Sequence, residues 1–336
     1  MSTRILVDGH GGDHAPGVVI EALSKIIHQS SSKVTLGVVG VADILIPELE
    51  KWNIKGHVML VEASDIVAMC DAPANALRRK RNSSMHVGAK CVRDGQWDAF
   101  VSAGNTGALM AISKLVLKTL PGVDRPAFAS MIPSATGGTF FLDIGANVDS
   151  TAEHLFQFAV MGSCYLQVAE GIQSPRIGLL NIGSEDIKGT DVIKEAAERL
   201  RGSSLNFIGN VEGTNLFDGS VDVVVCDGFI GNVSLKTMEG VAKLIIQTLK
   251  KELTSSPVAK MGALLSKSAL GRVRDAMNPS EHNGAPLLGL NGIVVKSHGS
   301  ADAHAFTCAI DVARREVESN LLGTITESMA TIHQSS

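Results

Sequence analysis

The stretch VSAGNTGALM, residues 101–110, sets Asn105 and Thr106 among glycines where an apolar strand pattern gives way to a helical one. Glycine leaves the backbone open, so its N–H groups can face an anion at close range. Other apolar runs close on similar groups: Asp8 with Gly11, Gly12 and Asp13; Asp143 with Asn147; Asn181 with Glu185 and Lys188; Asn210 with Glu212; Asp227 with Asn232; Ser297 with His298. Helix starts carry partial positive charge and hold phosphate or a developing oxyanion without any side-chain signature. Lys188 and Lys236 add cations beside these runs. The repeated Gly-Asn and Asp-Gly pairs predict one polar cleft along a single sheet edge.

Three familiar phosphate or acyl devices fail here. DGHGGDH has His14 where a dinucleotide G-x-G-x-x-G needs its third glycine, and SAGNTG begins on serine. GSEDIKGT puts Lys188 before Gly189, the reverse of the Gly-Lys order of a P-loop. No G-x-S-x-G nucleophile elbow occurs. Cys226 ends an apolar run and reads as a buried, inert thiol. Inorganic phosphate or a small phosphorylated ligand fits better than a nucleotide, and in an enzyme the ligand itself is the nucleophile. Each group also has a structural reading. Asn105 and Asn147 suit turn conformations, Asp143 and Asp227 suit helix caps, and Lys236 suits a solvated helix face.

The elements that must position these groups are legible as strands and helices in alternation. RILVDG, VTLGVVG, HVMLVEA, DAFVSAG, TFFLDIG, RIGLLNIG, LNFIGNV, VDVVVCDG and GIVVKSHG are apolar and β-branched, mostly without strict alternation, as in strands covered on both faces. Helical patterns lie between most of them, one opening at Ser150 and Thr151 with Glu153 as the expected cap partner. The expected fold is a mostly parallel, multi-layer Rossmann-like α/β sheet flanked by helices. Residues 1–336 would form one compact unit of two lobes around a central cleft. Residues 254–278 have no strand signal, and Val258, Met261, Leu264 and Leu265 share one helical face near Lys260, Lys267, Arg272 and Arg274. This predicts a helical excursion that packs on the body or on a second subunit, or whose exposed tip touches a membrane surface or a partner protein.

With 336 residues and 45% hydrophobic content, the chain can bury a large core. A net charge of -4 gives no overall field for nucleic acid, and none is expected as a partner. Five dispersed cysteines fit neither a disulfide framework nor a zinc site, so no metal is expected. The start MSTRILVDG lacks a long apolar h-region, and no apolar run reaches membrane-spanning length, which predicts a cytosolic protein.

Six segments in order, VSAGNTGALM, LDIGANVD, GLLNIGSEDIKGTDVIKEA, NFIGNVEG, DVVVCDGFIGNVSLKTMEG and GAPLLGLNGIVVKSHGS, resemble the bacterial phosphate acyltransferase family over residues 4–315. The pattern departs at Gly9 and His10, where D-A-M-G-G-D is usual, at Ser184, at His282 and Asn283, where aromatic-Gly precedes Gly-Ala-Pro, and at Ala301 in H-G-S-S. The resemblance implies a fold like isocitrate and isopropylmalate dehydrogenases and phosphotransacetylase. It implies fatty acyl transfer from acyl carrier protein to inorganic phosphate, without a cofactor, yielding acyl phosphate for phosphatidic acid synthesis. It further implies a homodimer, peripheral contact with the inner face of the plasma membrane, and a membrane-bound glycerol-3-phosphate acyltransferase as acceptor of the product. An acyl-CoA donor is the nearest alternative.

On that reading Lys188, Asn232 and His298 are the catalytic candidates: Lys188 helps cradle phosphate, Asn232 stabilises the tetrahedral oxyanion, and His298 orients phosphate or protonates the departing thiolate. Asn105, Thr106, Asp143, Asn147 and Asp227 line the phosphate and substrate site. Arg78 and Arg79, in the dense basic run RRKR, are expected to dock the acidic carrier protein.

Overall fold

The computed structural model describes residues 2–29, 34–276 and 283–335. Its strands are β1 (Thr3–Asp8), β2 (Val34–Gly40), β3 (Val58–Glu62), β4 (Ala99–Ser102), β5 (Ala127–Ile132), β6 (Thr139–Leu142), β7 (Ile177–Leu180), β8 (Phe207–Val211), β9 (Val223–Val225), β10 (Ala285–Leu288) and β11 (Ile293–Lys296). They form one 11-stranded sheet in the order β3-β2-β1-β4-β11-β10-β5-β6-β9-β7-β8. All nine strands expected from the sequence are present.

Alternation along the strands assigns the two faces. Leu6, Phe100, Phe141 and Val224 point to a face covered by α4 (Ser84–Arg93), α5 (Thr106–Leu117) and the first turns of α9 (Gly228–Leu253). Ile5, Val7, Ala99 and Val101 point the other way, onto α1 (Gly17–Gln29), α2 (Ala42–Lys51) and α12 (Ala303–Glu318). Phe140, Leu142, Val223 and Val225 continue that second face onto α6 (Ala152–Ala169), α7 (Asp191–Arg201) and α13 (Leu321–Ser335). Each fully buried Phe or Leu contributes roughly 1.5–3 kcal/mol, so these layers dominate the stability of the fold. The N-terminus of α6 is capped by Thr151, whose Oγ1 accepts from His154 N at 3.2 Å, while Thr151 N donates to His154 Nδ1 at 3.1 Å. The capping partner is therefore His154, one residue beyond the expected Glu153.

Seven pairings are parallel. Three are antiparallel: β11–β10, β10–β5 and β5–β6. An odd number of reversals separates β4 from β6, so β6, β9, β7 and β8 run against β1 to β4 and β11. The expectation of one shared sheet edge is thereby corrected: strand direction sends the two sets of polar strand ends to opposite edges. The cause lies in β5 and β10, short segments (AFASMI and APLL) that the sequence pattern does not mark as strands.

Helix α9 leaves the end of β9 and crosses the sheet face, where Leu235 and Met238 pack on the core. Beyond them it carries exposed Val241, Leu244, Ile245 and Leu249. It is followed by α10 (Pro257–Leu265), with exposed Val258, Met261, Leu264 and Leu265, and by α11 (Lys267–Ala276). The helical stretch thus begins inside α9, before residue 254, and residues 277–278 of the expected excursion lie outside the described residues. No described helix is long and apolar enough to cross a membrane.

Candidate active site

Three neighbouring parallel strands end in one row of polar side chains. Asp8, Ser102 and Lys296 extend the core-facing positions Leu6, Phe100 and Val294, and the register places Lys296 beside Ser102. Ser102 Oγ donates to Asp8 Oδ2 at 2.7 Å and accepts from Gly104 N at 3.1 Å. Asp8 Oδ1 accepts from His10 N at 3.1 Å, and His10 Nε2 accepts from Val41 N at 2.9 Å, so the unusual histidine of this loop ties β1 to the end of β2. Lys296 Nζ donates to the carbonyls of Ala103, at 3.2 Å, and Ser297. Desolvation pushes this ammonium down to about 8, against Asp8 and Asp13 and with help from Lys236.

The loop after β11 is held by Asn283. Its Nδ2 donates to Ser297 Oγ at 2.8 Å and Ala305 O at 2.7 Å, and its Oδ1 accepts from His298 N at 2.9 Å. His298 Nδ1 accepts from Ser300 N at 3.2 Å and lies 2.9 Å from Ser300 Oγ, an arrangement that leaves the proton of the neutral ring on Nε2. Desolvation lowers the pKa of His298, and Lys236, Lys296 and Lys243 lower it further against Glu239. Residues 236, 239 and 243, spaced i, i+3 and i+7 along one side of α9, all lie near enough to His298 to act on its charge. Lys236 is paired with Glu239 at 2.9 Å.

Asn105 caps α5, its Oδ1 accepting from Ala108 N at 3.0 Å. Its Nδ2 donates to Met69 O at 2.8 Å and Asp71 O at 3.0 Å, fastening the segment that leads to α3 (Pro73–Arg79). Both ends of the amide are thus occupied, and the exposed Thr106 with the first N–H groups of α5 remains to meet a ligand. Arg78 and Arg79, at the C-terminal end of α3, are exposed.

The second set gathers around Asp143. Its Oδ1 accepts from the backbone N–H groups of Phe128, Gly145 and Ala146 at 3.1, 3.0 and 2.9 Å. Its Oδ2 accepts from Asn147 N and Nδ2 at 2.7 and 2.9 Å. Burial pushes this carboxyl up while the hydrogen bonds pull it down, and because all five partners are donors the loop is built around the carboxylate. Asn147 also donates to Pro126 O at 2.8 Å. Asp227 caps α9 through Ile230 N at 2.9 Å, and Gly228 N donates to Asn147 O at 2.8 Å. A β-carbon on Gly231 would stand 1.8 Å from Asp143 O, so only glycine lets the helix seat here. The exposed Asn232 follows, its side chain against Gly145. Asp143, Asn147 and Asp227 are thus internal supports for the platform that presents Asn232.

Lys188 is exposed on the loop after β7. Its backbone N donates to Glu185 O at 3.0 Å and its carbonyl accepts from Asn181 Nδ2 at 3.2 Å, so the loop is folded while no ion pair holds the side chain among the described residues. Cys226 is fully buried, its Sγ 3.4 Å from Asp143 O. No group of three or more His, Cys, Asp or Glu residues suited to a metal occurs among the described residues. Sequence reasoning missed Lys296 and Asn283. The signal for the first was available, because GIVVKS puts a cation at the end of a buried strand. Asn283 stands where the resembled pattern has glycine.

The fold is shared with solved α/β proteins. A phosphotransacetylase from Streptococcus pyogenes matches with a TM-score of 0.61 at 18% identity, over 94% of each chain. EutD phosphotransacetylase from Staphylococcus aureus matches with a TM-score of 0.59 at 16% identity, again over 94% of each chain. A putative 4-hydroxythreonine-4-phosphate dehydrogenase from Salmonella typhimurium has a TM-score of 0.54 at 13% identity, covering 94% of this chain and 99% of that one. The class is thus the phosphotransacetylase-like α/β fold. Within it, the chain belongs to the fatty acid synthesis protein family, whose model matches residues 3–323. Curated relatives named phosphate acyltransferase are 48% identical, one from Magnetococcus marinus over 98% of this chain and 97% of its own, one from Methylococcus capsulatus over 98% of both. The chain is an acyltransferase acting with phosphate.

Proposed function

We propose that the acyl donor is a fatty acyl thioester of acyl carrier protein, and that the acyl phosphate product feeds phosphatidic acid synthesis through a membrane-bound glycerol-3-phosphate acyltransferase. A phosphate oxygen attacks the thioester carbonyl, a tetrahedral oxyanion forms, the C–S bond breaks and the thiolate leaves with the electron pair. One activated acyl group is exchanged for another, so the reaction is reversible. Phosphate is already a nucleophile near neutral pH, and the protein's task is to hold it against the carbonyl, where effective molarity supplies much of the acceleration.

The observation that carries this reading is the approach of α9 to His298. The helix starts on the Asp143 platform, presents Asn232, and four residues later presents Lys236 near His298 and Lys296. Twist supports the same cleft: at about 20–25° per strand, the six steps from β4 to β7 rotate the strands by roughly 120–150° and turn the reversed carboxyl ends back toward each other. The two lobes are the halves of the sheet on either side of this cleft. Thr106 and the α5 N–H groups, fixed by Asn105, hold phosphate together with Lys188; Asn232, carried by Asp143, Asn147 and Asp227, stabilises the oxyanion; His298 Nε2–H meets phosphate or the departing sulfur.

Arg78 and Arg79, on the helix tied to the α5 loop, dock the acidic carrier. The exposed apolar residues of α9 and α10 serve a homodimer and peripheral contact with the inner face of the plasma membrane. The test is to incubate purified protein with acyl-carrier and acyl-CoA thioesters, with and without phosphate, and to measure thiol release and hydroxylamine-trapped acyl phosphate. Phosphate-dependent release from the carrier thioester is expected. Release without phosphate defeats the transferase mechanism, and exclusive use of acyl-CoA defeats the assigned donor.

A further inference from the structure

Lys296 is a buried cation at the site, in the row of strand ends it shares with Asp8 and Ser102. Its residue is only 8% exposed, yet it ends an apolar strand whose neighbours are Val294 and Val295. A buried ammonium is costly unless its N–H groups are hydrogen-bonded, and here two backbone carbonyls accept from two of its three donors. Those carbonyls belong to Ala103 and Ser297, the residues that precede the two loops facing the cleft. After Ala103 come Gly104, Asn105 and Thr106, which open α5. After Ser297 come His298, Gly299 and Ser300.

We propose that Lys296 is the positioning residue of the phosphate site: it clamps the Ala103 and Ser297 carbonyls and so sets the two following loops, the first carrying Thr106 and the opening N–H groups of α5 and the second His298 Nε2–H, around a phosphate dianion lying above it. This deepens the reading given under Proposed function and rests on it. The loops are stitched together at other points as well, since Ser297 N donates to Ser102 O at 2.9 Å and Asp13 N donates to Gly299 O at 2.7 Å. What Lys296 adds is orientation of the carbonyls with a positive charge directly beneath the anion. A neutral side chain in its place leaves both carbonyls unpaired and removes the positive charge beneath the anion.

Charge balance around it fits an anion that arrives and leaves. Asp8 and Asp13 face Lys296 from β1 and its loop; Lys236 faces it from α9, and His298 lies on the adjoining loop with Glu239 and Lys243 across from it. Asp8 is already engaged by Ser102 and His10, so it moderates the ammonium without forming a hydrogen bond to it. With its pKa lowered to about 8, Lys296 is protonated at neutral pH and loses its charge in mildly alkaline solution.

The experiment compares Lys296→Met and Lys296→Arg with the parent enzyme, reading KM for inorganic phosphate, KM for the acyl thioester, kcat, and the melting temperature. Lys296→Met is expected to raise KM for phosphate at least tenfold, leave KM for the thioester within about twofold, and remove the alkaline fall of kcat/KM for phosphate; Lys296→Arg is expected to keep the charge and recover part of the phosphate affinity. In the parent enzyme, kcat/KM for phosphate is expected to fall through a pKa near 8, a readout that stands if Lys296→Met does not fold. An unchanged KM for phosphate, equal increases in both KM values, or a parent profile without that alkaline limb overturns the proposal. Formation of acyl phosphate at normal rates by such variants would leave the transferase reading intact, so the two can fail separately.

Discussion

Gly231 passes the backbone carbonyl of Asp143 so closely that a β-carbon would stand 1.8 Å from its oxygen. The contact fixes the height at which α9 leaves the platform, and with it the place of Asn232 one residue later. Gly231→Ala is expected to destabilise the fold by about 3 kcal/mol, as overpacking against rigid backbone does, and to cut kcat with it. Gly240, in the same helix, faces open space: a β-carbon there would meet nothing within 4 Å, and Gly240→Ala is expected to leave stability level or slightly raised. Urea denaturation of the two variants checks the contrast.

The Asp143 carboxylate serves five donors, and an amide cannot accept from all of them. Asp143→Asn turns an NH2 group toward an N–H and is expected to cost about 2–3 kcal/mol. Denaturant midpoints at neutral pH give the value, and an unchanged midpoint refutes the supporting role.

Lys188 and Asn232 make no packing contribution of comparable size. Lys188→Ala and Asn232→Ala are each expected to lower kcat by roughly 10²–10³, the usual loss when one oxyanion or phosphate donor is removed, with stability changed by less than about 0.5 kcal/mol. Single-turnover assays beside thermal melts separate the two effects. Activity within threefold of the parent removes either residue from the site.

Asp222 accepts from Arg176 N, Nε and Nη2 at 2.7, 3.0 and 2.7 Å, joining the starts of β7 and β9. Burial pushes its carboxyl up, but the hydrogen bonds and charge of Arg176 outweigh this and leave the pKa below 3.8. A depressed carboxylate stabilises the fold fully above its unfolded pKa and loses that contribution as pH falls through the folded value. Asp222→Asn is therefore expected to melt lower than the parent at pH 6, with the difference shrinking below pH 3.8. Melting curves across that range decide it.

Arg78→Glu with Arg79→Glu is expected to raise KM for an acyl-carrier thioester about tenfold while leaving KM for phosphate unchanged, and the effect should weaken as salt is added. Equal KM values in parent and variant move the docking surface elsewhere.

Much of this molecule is readable before any coordinates exist. Runs such as VDVVVCDG and DAFVSAG are apolar throughout because parallel strands are buried on both faces, and the glycines and asparagines after them mark the loops. What escaped are the features set by partners distant in sequence. APLL pairs with AFASM across more than 150 residues, and nothing within either segment announces the reversal of direction that they create together. Asn105 reads as an anion contact from its neighbours, yet Met69 and Asp71, far back in the chain, occupy its amide. Lys296 was legible as a cation but not as a clamp, because its acceptors lie on two different loops.

Strand β11 and helix α12 come from the last fifth of the chain, yet they complete the half of the sheet that the first hundred residues begin: β11 pairs with β4, and α12 packs on α1, β1 and β4. On the ribosome, residues 1–120 therefore wait with the β4 edge open until residue 318 has emerged. The part made first is finished last, and a stalled or truncated chain exposes an apolar strand edge, the kind of surface that chaperones hold and that aggregates recruit.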